Sequence, residues 1–92
     1  GIMNKSVIKR YAANVTKNDI VSFAYKENVM VSDAEVDIIF KAIHFDIDVL
    51  LEDPIAYLED YKNKLSDEVY SKLLEFYGKY KKFIWILWTF FL

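Results

Sequence analysis

The sequence predicts an all-α fold, a small bundle of four to five short helices with a long C-terminal helix. Three observations predict it. Apolar residues recur at spacings of three and four rather than two. Glycine and proline occur only at Gly1, Gly78 and Pro54, and no Asn-Gly or Asp-Gly pair announces a β-hairpin. Helix-capping residues (Thr16, Ser32, Asp53 and Ser66) supply the punctuation instead.

The first helix is expected from Asn4 to Ala13, with Val7, Ile8, Tyr11 and Ala12 on one side. Thr16 starts the second. Asp19 stands three residues on, where its carboxylate can meet free backbone N–H groups. That helix carries Ile20, Phe23 and Ala24 and runs to Glu27. Asn28-Val29-Met30-Val31 is a short apolar connector. Ser32-Asp33-Ala34-Glu35 is the best capping box in the chain. The third helix follows, with Val36, Ile39, Phe40 and Ile43 at i, i+3, i+4 and i+7, widened by Ile38 and Ala42. So broad a stripe places this helix at the centre.

His44 to Glu52 is less regular: apolar and polar residues alternate from Phe45 to Val49, but no partner strand is present. An extended connector, or a short helical turn through Val49-Leu50-Leu51, is expected there. Asp53-Pro54 opens a fourth helix, with aspartate as cap and proline at the first position. Its stripe is Ile55, Leu58, Tyr61 and Leu65. Ser66-Asp67-Glu68 caps the last helix and sets negative charge at its positive end. The last stripe runs through Val69, Leu73, Phe76, Tyr77, Tyr80 and Ile84. Gly78 interrupts it, as a close packing contact, a bend or the end of the helix.

At 92 residues, with neither repeats nor a linker, the chain reads as one helical domain over residues 3–92. Gly1 and Ile2 precede Met3 and read as a cloning remnant. Residues 83–92 form an apolar C-terminal tail. With 54% hydrophobic and 28% charged residues the chain is globular rather than disordered. No cysteine is present, so disulfides, thiolate nucleophiles and thiolate-held metals are excluded together. The N-terminus shows no apolar signal region, and a cytoplasmic protein is expected.

From Asn14 to about Phe83 the order of features is distinctive. A Val-Thr cap leads to DIVSFA, a second cap to EVDIIFKAI, then LLEDPIAYLEDY and KLSDEVYSKLLEFYGKY. This order resembles a small family of uncharacterised helical proteins of Bacillus-like bacteria, a domain of unknown function. The resemblance covers about three quarters of the chain. It implies a small cytoplasmic bacterial protein and carries no activity, cofactor or catalytic residue.

The residues themselves point to no chemistry. His44, the only histidine, stands near Asp46 and Asp48, but the spacing matches no zinc site and the segment lacks the glycine of a calcium loop. Its plainer role is a ring near a helix C-terminus. No serine sits in a strand–turn–helix elbow, and no glycine-rich loop cradles phosphate. No enzyme, metal, cofactor or small-molecule ligand is therefore expected. The second and third helices imitate a helix-turn-helix. The reading helix would begin with Asp33, Glu35 and Asp37, which repel phosphate, so nucleic acid is disfavoured.

Charge is uneven. Residues 1–32 hold five bases and two acids (+3), residues 33–68 eleven acids and three lysines (−8), and residues 69–92 four lysines and one acid (+3). Basic ends folded against an acidic middle account for this as solvated surface. A basic partner for the acidic surface is the sharper reading.

The feature that points outside the fold is FIWILWTFFL, Phe83 to Leu92, preceded by Lys79, Lys81 and Lys82. Ten helical residues rise about 15 Å, half of a bilayer core of about 30 Å, so the run alone does not span. A membrane-surface helix needs a polar face, and this run offers only Thr89. Burying it on all sides within so small a domain is difficult. Docking is favoured: tail against tail, or tail into a partner's groove. The candidate interaction surface is Tyr80, Phe83, Ile84, Trp85, Leu87, Trp88 and Phe91. The expected function is a non-enzymatic protein–protein interaction module, binding a protein partner or a second copy. The alternative is a peripheral membrane protein anchored by this tail, with Trp85 and Trp88 at the interface and the lysines on anionic headgroups.

Overall fold

A computed structural model describes residues 5–76 and Gly78. Among the described residues every regular element is a helix, and there is no strand. In order they form α1 (Lys5–Ala13), α2 (Lys17–Lys26), α3 (Asp33–His44), α4 (Ile47–Glu52), α5 (Pro54–Asp60) and a single 3-10 turn (Lys62–Lys64). α6 follows, described over residues 67–76 and at Gly78. The extent of the long C-terminal helix, with Tyr77, Tyr80 and Ile84 of its stripe, lies outside the described residues.

The caps do what their spacing predicts. Thr16 Oγ1 accepts from Asp19 N–H at 3.1 Å, and Asp19 accepts from Thr16 N–H at 2.9 Å. Ser32 and Glu35 repeat the exchange at 3.2 and 2.9 Å. Asp53 accepts from Ala56 N–H, and Ser66 Oγ from Val69 N–H, both at 3.2 Å. Each bond satisfies a backbone donor that the first turn leaves without a partner. α2 also has a defined stop. Asn28 takes φ 57°, the left-handed region that asparagine tolerates better than most residues. Its N–H donates to Tyr25 O at 3.1 Å, and Val29 N–H reaches Ala24 O at 2.9 Å. This pair of bonds is a Schellman closure, and it turns the Val29–Val31 connector back along the helix pair.

α3 is central, as its wide stripe predicts. It packs against α1, α2 and α4, while α5 packs on α4. Val36 and Ala42 are buried, and Ile38, Ile39, Phe40 and Ile43 are half-buried. Ile20 of α2, Ala12 of α1, Tyr57 and Leu58 of α5 and Val69 of α6 join them as buried apolar residues, with Leu65.

Four details correct the sequence reading. The segment after His44 is neither extended nor a turn limited to Val49–Leu51 but the six-residue α4. Ile47, Leu50 and Leu51 are half-buried at i, i+3 and i+4, so helical spacing prevails over a five-residue alternation with no strand to pair. The fourth helix stops at Asp60 rather than running on towards Leu65, and the chain tightens into the 3-10 turn. In that helix Tyr57, not Ile55, points inward: Tyr57 is buried and Ile55 is 48% exposed. Tyr11, grouped with Val7, Ile8 and Ala12 on one side of α1, is 73% exposed, whereas Ala12 is buried.

Gly78 is helical and exposed, and a Cβ placed there would meet nothing within 4 Å. It is therefore not a close packing contact with any described residue, nor a left-handed stop. Gly78→Ala is expected to stabilise the fold by about 0.5–1 kcal/mol, because alanine restricts the unfolded chain and favours helix. Thermal denaturation checks this. A lowered melting temperature would mean that the glycine is needed for a neighbouring contact.

Candidate docking groove

Three helices that each bury only part of an apolar stripe leave a groove between them. Ile20 and Phe23 of α2, Ile39 and Ile43 of α3, and Leu73 and Phe76 of α6 line it, with the connector residues Val29 and Val31. Its volume is about 370 Å³, and its charged residues are Asp19, Glu27 and Lys72. The Phe23 and Phe76 rings meet across it, centroids 4.8 Å apart and tilted by 52°. Phe23 is nonetheless 49% exposed. Val21, Tyr25 and Met30 are also exposed, at 46%, 84% and 86%, but none of them lines the groove.

A second groove of about 360 Å³ opens on the other side, where Leu50 and Leu51 of α4 and Tyr57 and Leu58 of α5 face α3. It shares Ile39, Ile43, Leu73 and Phe76 with the first. These four side chains thus form a thin apolar wall between two openings. No large side chain among the described residues is completely buried. Apolar side chains of a packed core normally interdigitate without such gaps.

One carboxylate sets the wall's position. Glu35 is 7% exposed, the one charged residue in the buried set. Its Oε1 accepts from Ser32 N–H at 2.9 Å, closing the α3 box. Its Oε2 accepts from Ser66 N–H, also at 2.9 Å, at the cap of α6. A single carboxylate therefore serves two helix N-termini, whose dipoles both favour negative charge. Burial pushes the Glu35 carboxyl up, but the hydrogen bonds from Ser66 and Ser32 together outweigh it and hold the group below its ordinary range. This bridge fixes the start of α6 against α3 and so forms two sides of the groove.

A polar cluster ties α3, α4 and α5 together. Tyr57 donates to Asp46 Oδ2 at 2.7 Å, Lys41 Nζ lies 3.3 Å from the same oxygen, and Lys41 donates to Tyr61 Oη at 2.8 Å. The Tyr57 hydrogen bond, then Lys41, lower the Asp46 carboxyl. Hydrogen bonds to Tyr61 and Asp46 raise Lys41. Burial and the bond to Asp46 push the Tyr57 hydroxyl up, whereas the Lys41 hydrogen bond pulls Tyr61 down. Tyr57 thus holds its proton more firmly than usual, the reverse of what a nucleophile or base requires. Tyr57→Phe is expected to lower stability by about 1 kcal/mol, the usual net worth of a hydrogen bond. Asp46 is stabilised in its charged form, so its contribution is present above the ordinary aspartate range and fades as pH falls through its lowered value. The Tyr57→Phe difference should therefore shrink in acid. Urea unfolding at pH 7 and pH 3 checks it, and a pH-independent difference would assign the effect to packing.

The His44, Asp46 and Asp48 side chains do not converge. His44 Nε2 donates to Val15 O, and its ring stacks on Phe40 with centroids 4.1 Å apart. Asp46 serves Tyr57 and Lys41, and Asp48 pairs with Lys9 at 3.1 Å. His44 is the last residue of α3, the position its plainer reading gives it. In the α2–α3 pair, Asp33 and Asp37 are exposed and Asp37 binds Lys17 at 2.9 Å, whereas Glu35 turns inward. The proposed interaction residues Tyr80, Phe83, Ile84, Trp85, Leu87, Trp88 and Phe91 lie outside the described residues. Sequence reasoning missed the groove. Its signal was present in the i, i+3 pair Ile20 and Phe23 followed by a connector with two valines, Val29 and Val31. No helix among the described residues is long and apolar enough to cross a membrane. No protein-family model, curated protein or solved structure matches the chain.

Proposed function

We propose that the protein is a small helical interaction module that works by docking rather than by catalysis. The observation that carries this reading is the apolar groove between α2, α3 and α6, continuous with exposed Phe23. An apolar surface of this kind, rimmed by charge, is what helical modules use to seat a partner's apolar side chains. The apolar tail supplies the second contact: Tyr80, Phe83, Ile84, Trp85, Leu87, Trp88 and Phe91 stand within or just ahead of a run whose only polar residue is Thr89. The absence of cysteine suits a reducing cytoplasm as the setting. The lysines ahead of the tail favour a second reading, contact with an anionic membrane surface.

Light scattering on a sizing column, comparing the full chain with one ending at Lys82, tests the proposal. The expected result is an assembly that becomes a folded monomer on truncation. Two monomers, the shorter one less stable, would assign the tail to the core and remove the docking reading. A monomer that floats with anionic vesicles only when the tail is present would replace it with the membrane reading.

A further inference from the structure

We propose that the occupant of the α2–α3–α6 groove is the tail, residues 83–92, of a second copy of this chain, exchanged reciprocally about a two-fold axis. This rests on the docking reading above and names its partner. Four observations support it.

The tail has the spacing of a groove ligand. Ile84, Leu87, Trp88 and Phe91 stand at i, i+3, i+4 and i+7, the pattern by which a helix seats one face in an apolar groove. The direction of the chain favours a second copy over the same copy. Phe76 lines the groove, so a tail returning to its own groove must reverse soon after Gly78. Gly78 itself is helical. Residues 79–92 contain no Gly, Pro, Asn, Asp or Ser, the residues that make reversals. Charges also match: Lys79, Lys81 and Lys82 precede the tail, and Asp19 and Glu27 stand in the groove lining, whose one lysine, Lys72, is paired with Glu75 at 3.3 Å. Finally, a groove and its ligand on one chain would propagate into a filament unless the exchange is mutual. Two-fold closure covers both apolar surfaces and ends the assembly at two copies.

The cysteine-free chain permits a direct test in the full-length protein. Glu27→Cys places a thiol in the groove lining and Thr89→Cys one in the tail. The doubly substituted protein is oxidised mildly and run without reductant, beside a mass measurement before oxidation. The expected result is a two-copy species before oxidation and disulfide-linked dimers after it. An equal mixture of the two single variants should link at least about tenfold faster than either alone. A link within one chain would overturn the proposal by placing the tail in its own groove. A two-copy species that fails to link would overturn it while leaving the docking reading intact. A monomer that fails to link would overturn both.

Discussion

Glu35→Gln should destabilise the protein by about 2–4 kcal/mol, the largest effect expected of any single polar substitution in the described region. The carboxylate accepts from two backbone N–H groups, at Ser32 and Ser66, 31 residues apart from Glu35 in the second case. Glutamine retains one acceptor oxygen and turns an NH2 donor towards the other N–H. One part-buried donor loses its partner and both helix N-termini lose their counter-charge. A hydrogen bond to a charged group is worth about 1.5–3 kcal/mol, and leaving one N–H without its acceptor adds to the loss. Since small domains hold only about 5–15 kcal/mol in total, the variant is expected to unfold at far lower urea.

The same residue fixes a pH dependence. Its folded pKa lies below its ordinary value of 4.5. The stabilisation is therefore complete above that value and is lost as pH falls through the folded pKa. Glutamine does not titrate, so the stability gap between wild type and Glu35→Gln should narrow from pH 7 to pH 3. A gap that stays constant across this range would show that the carboxylate's charge contributes nothing and that only shape matters.

Leu58→Ala should cost about 2–3 kcal/mol. Leucine-to-alanine changes in cores span about 2–5 kcal/mol, and the lower part applies where surroundings can relax. Leu58 is buried but lines the second groove, so part of its environment is already open. Ile55→Ala, three residues earlier on the same helix, should stay within about 0.5 kcal/mol because Ile55 is half in water. The pair of urea midpoints, at unchanged slope, distinguishes the two sites. Equal losses would mean that the sequence stripe, which treats Ile55 and Leu58 alike, describes the packing better than the structure does.

What the sequence reveals here depends on distance along the chain. The caps at Thr16, Ser32, Asp53 and Ser66 are legible because donor and acceptor stand three residues apart, and all four form. The central place of α3 is legible from the width of its stripe. Glu35 as the partner of Ser32 is legible for the same local reason. Its second bond, to Ser66, is not, because nothing local requires the α6 cap to borrow a carboxylate from α3. Residue Ser66 lacks its own acid three positions on, where Val69 stands, and that gap was the only hint. Tyr57 was missed for a related reason. Its inward position depends on Asp46, eleven residues away, accepting a hydrogen bond from the hydroxyl. The groove is a property of three helices together, so no single stripe displays it. The tail stands out by composition alone, which marks its candidate residues but not what they contact.

The docking proposal places the contact in the groove that Phe23 lines. Sedimentation equilibrium of the full chain and of Phe23→Glu, from micromolar to submillimolar concentration, decides it. Phe23 is half exposed, so a charge there should leave the helices intact while placing an unpaired carboxylate where an apolar side chain must seat. Docking through this groove predicts twice the 10.9 kDa chain mass for the full chain and a helical 10.9 kDa monomer for the variant. A full chain of 10.9 kDa at every concentration, or a dimer indifferent to Phe23→Glu, would contradict it.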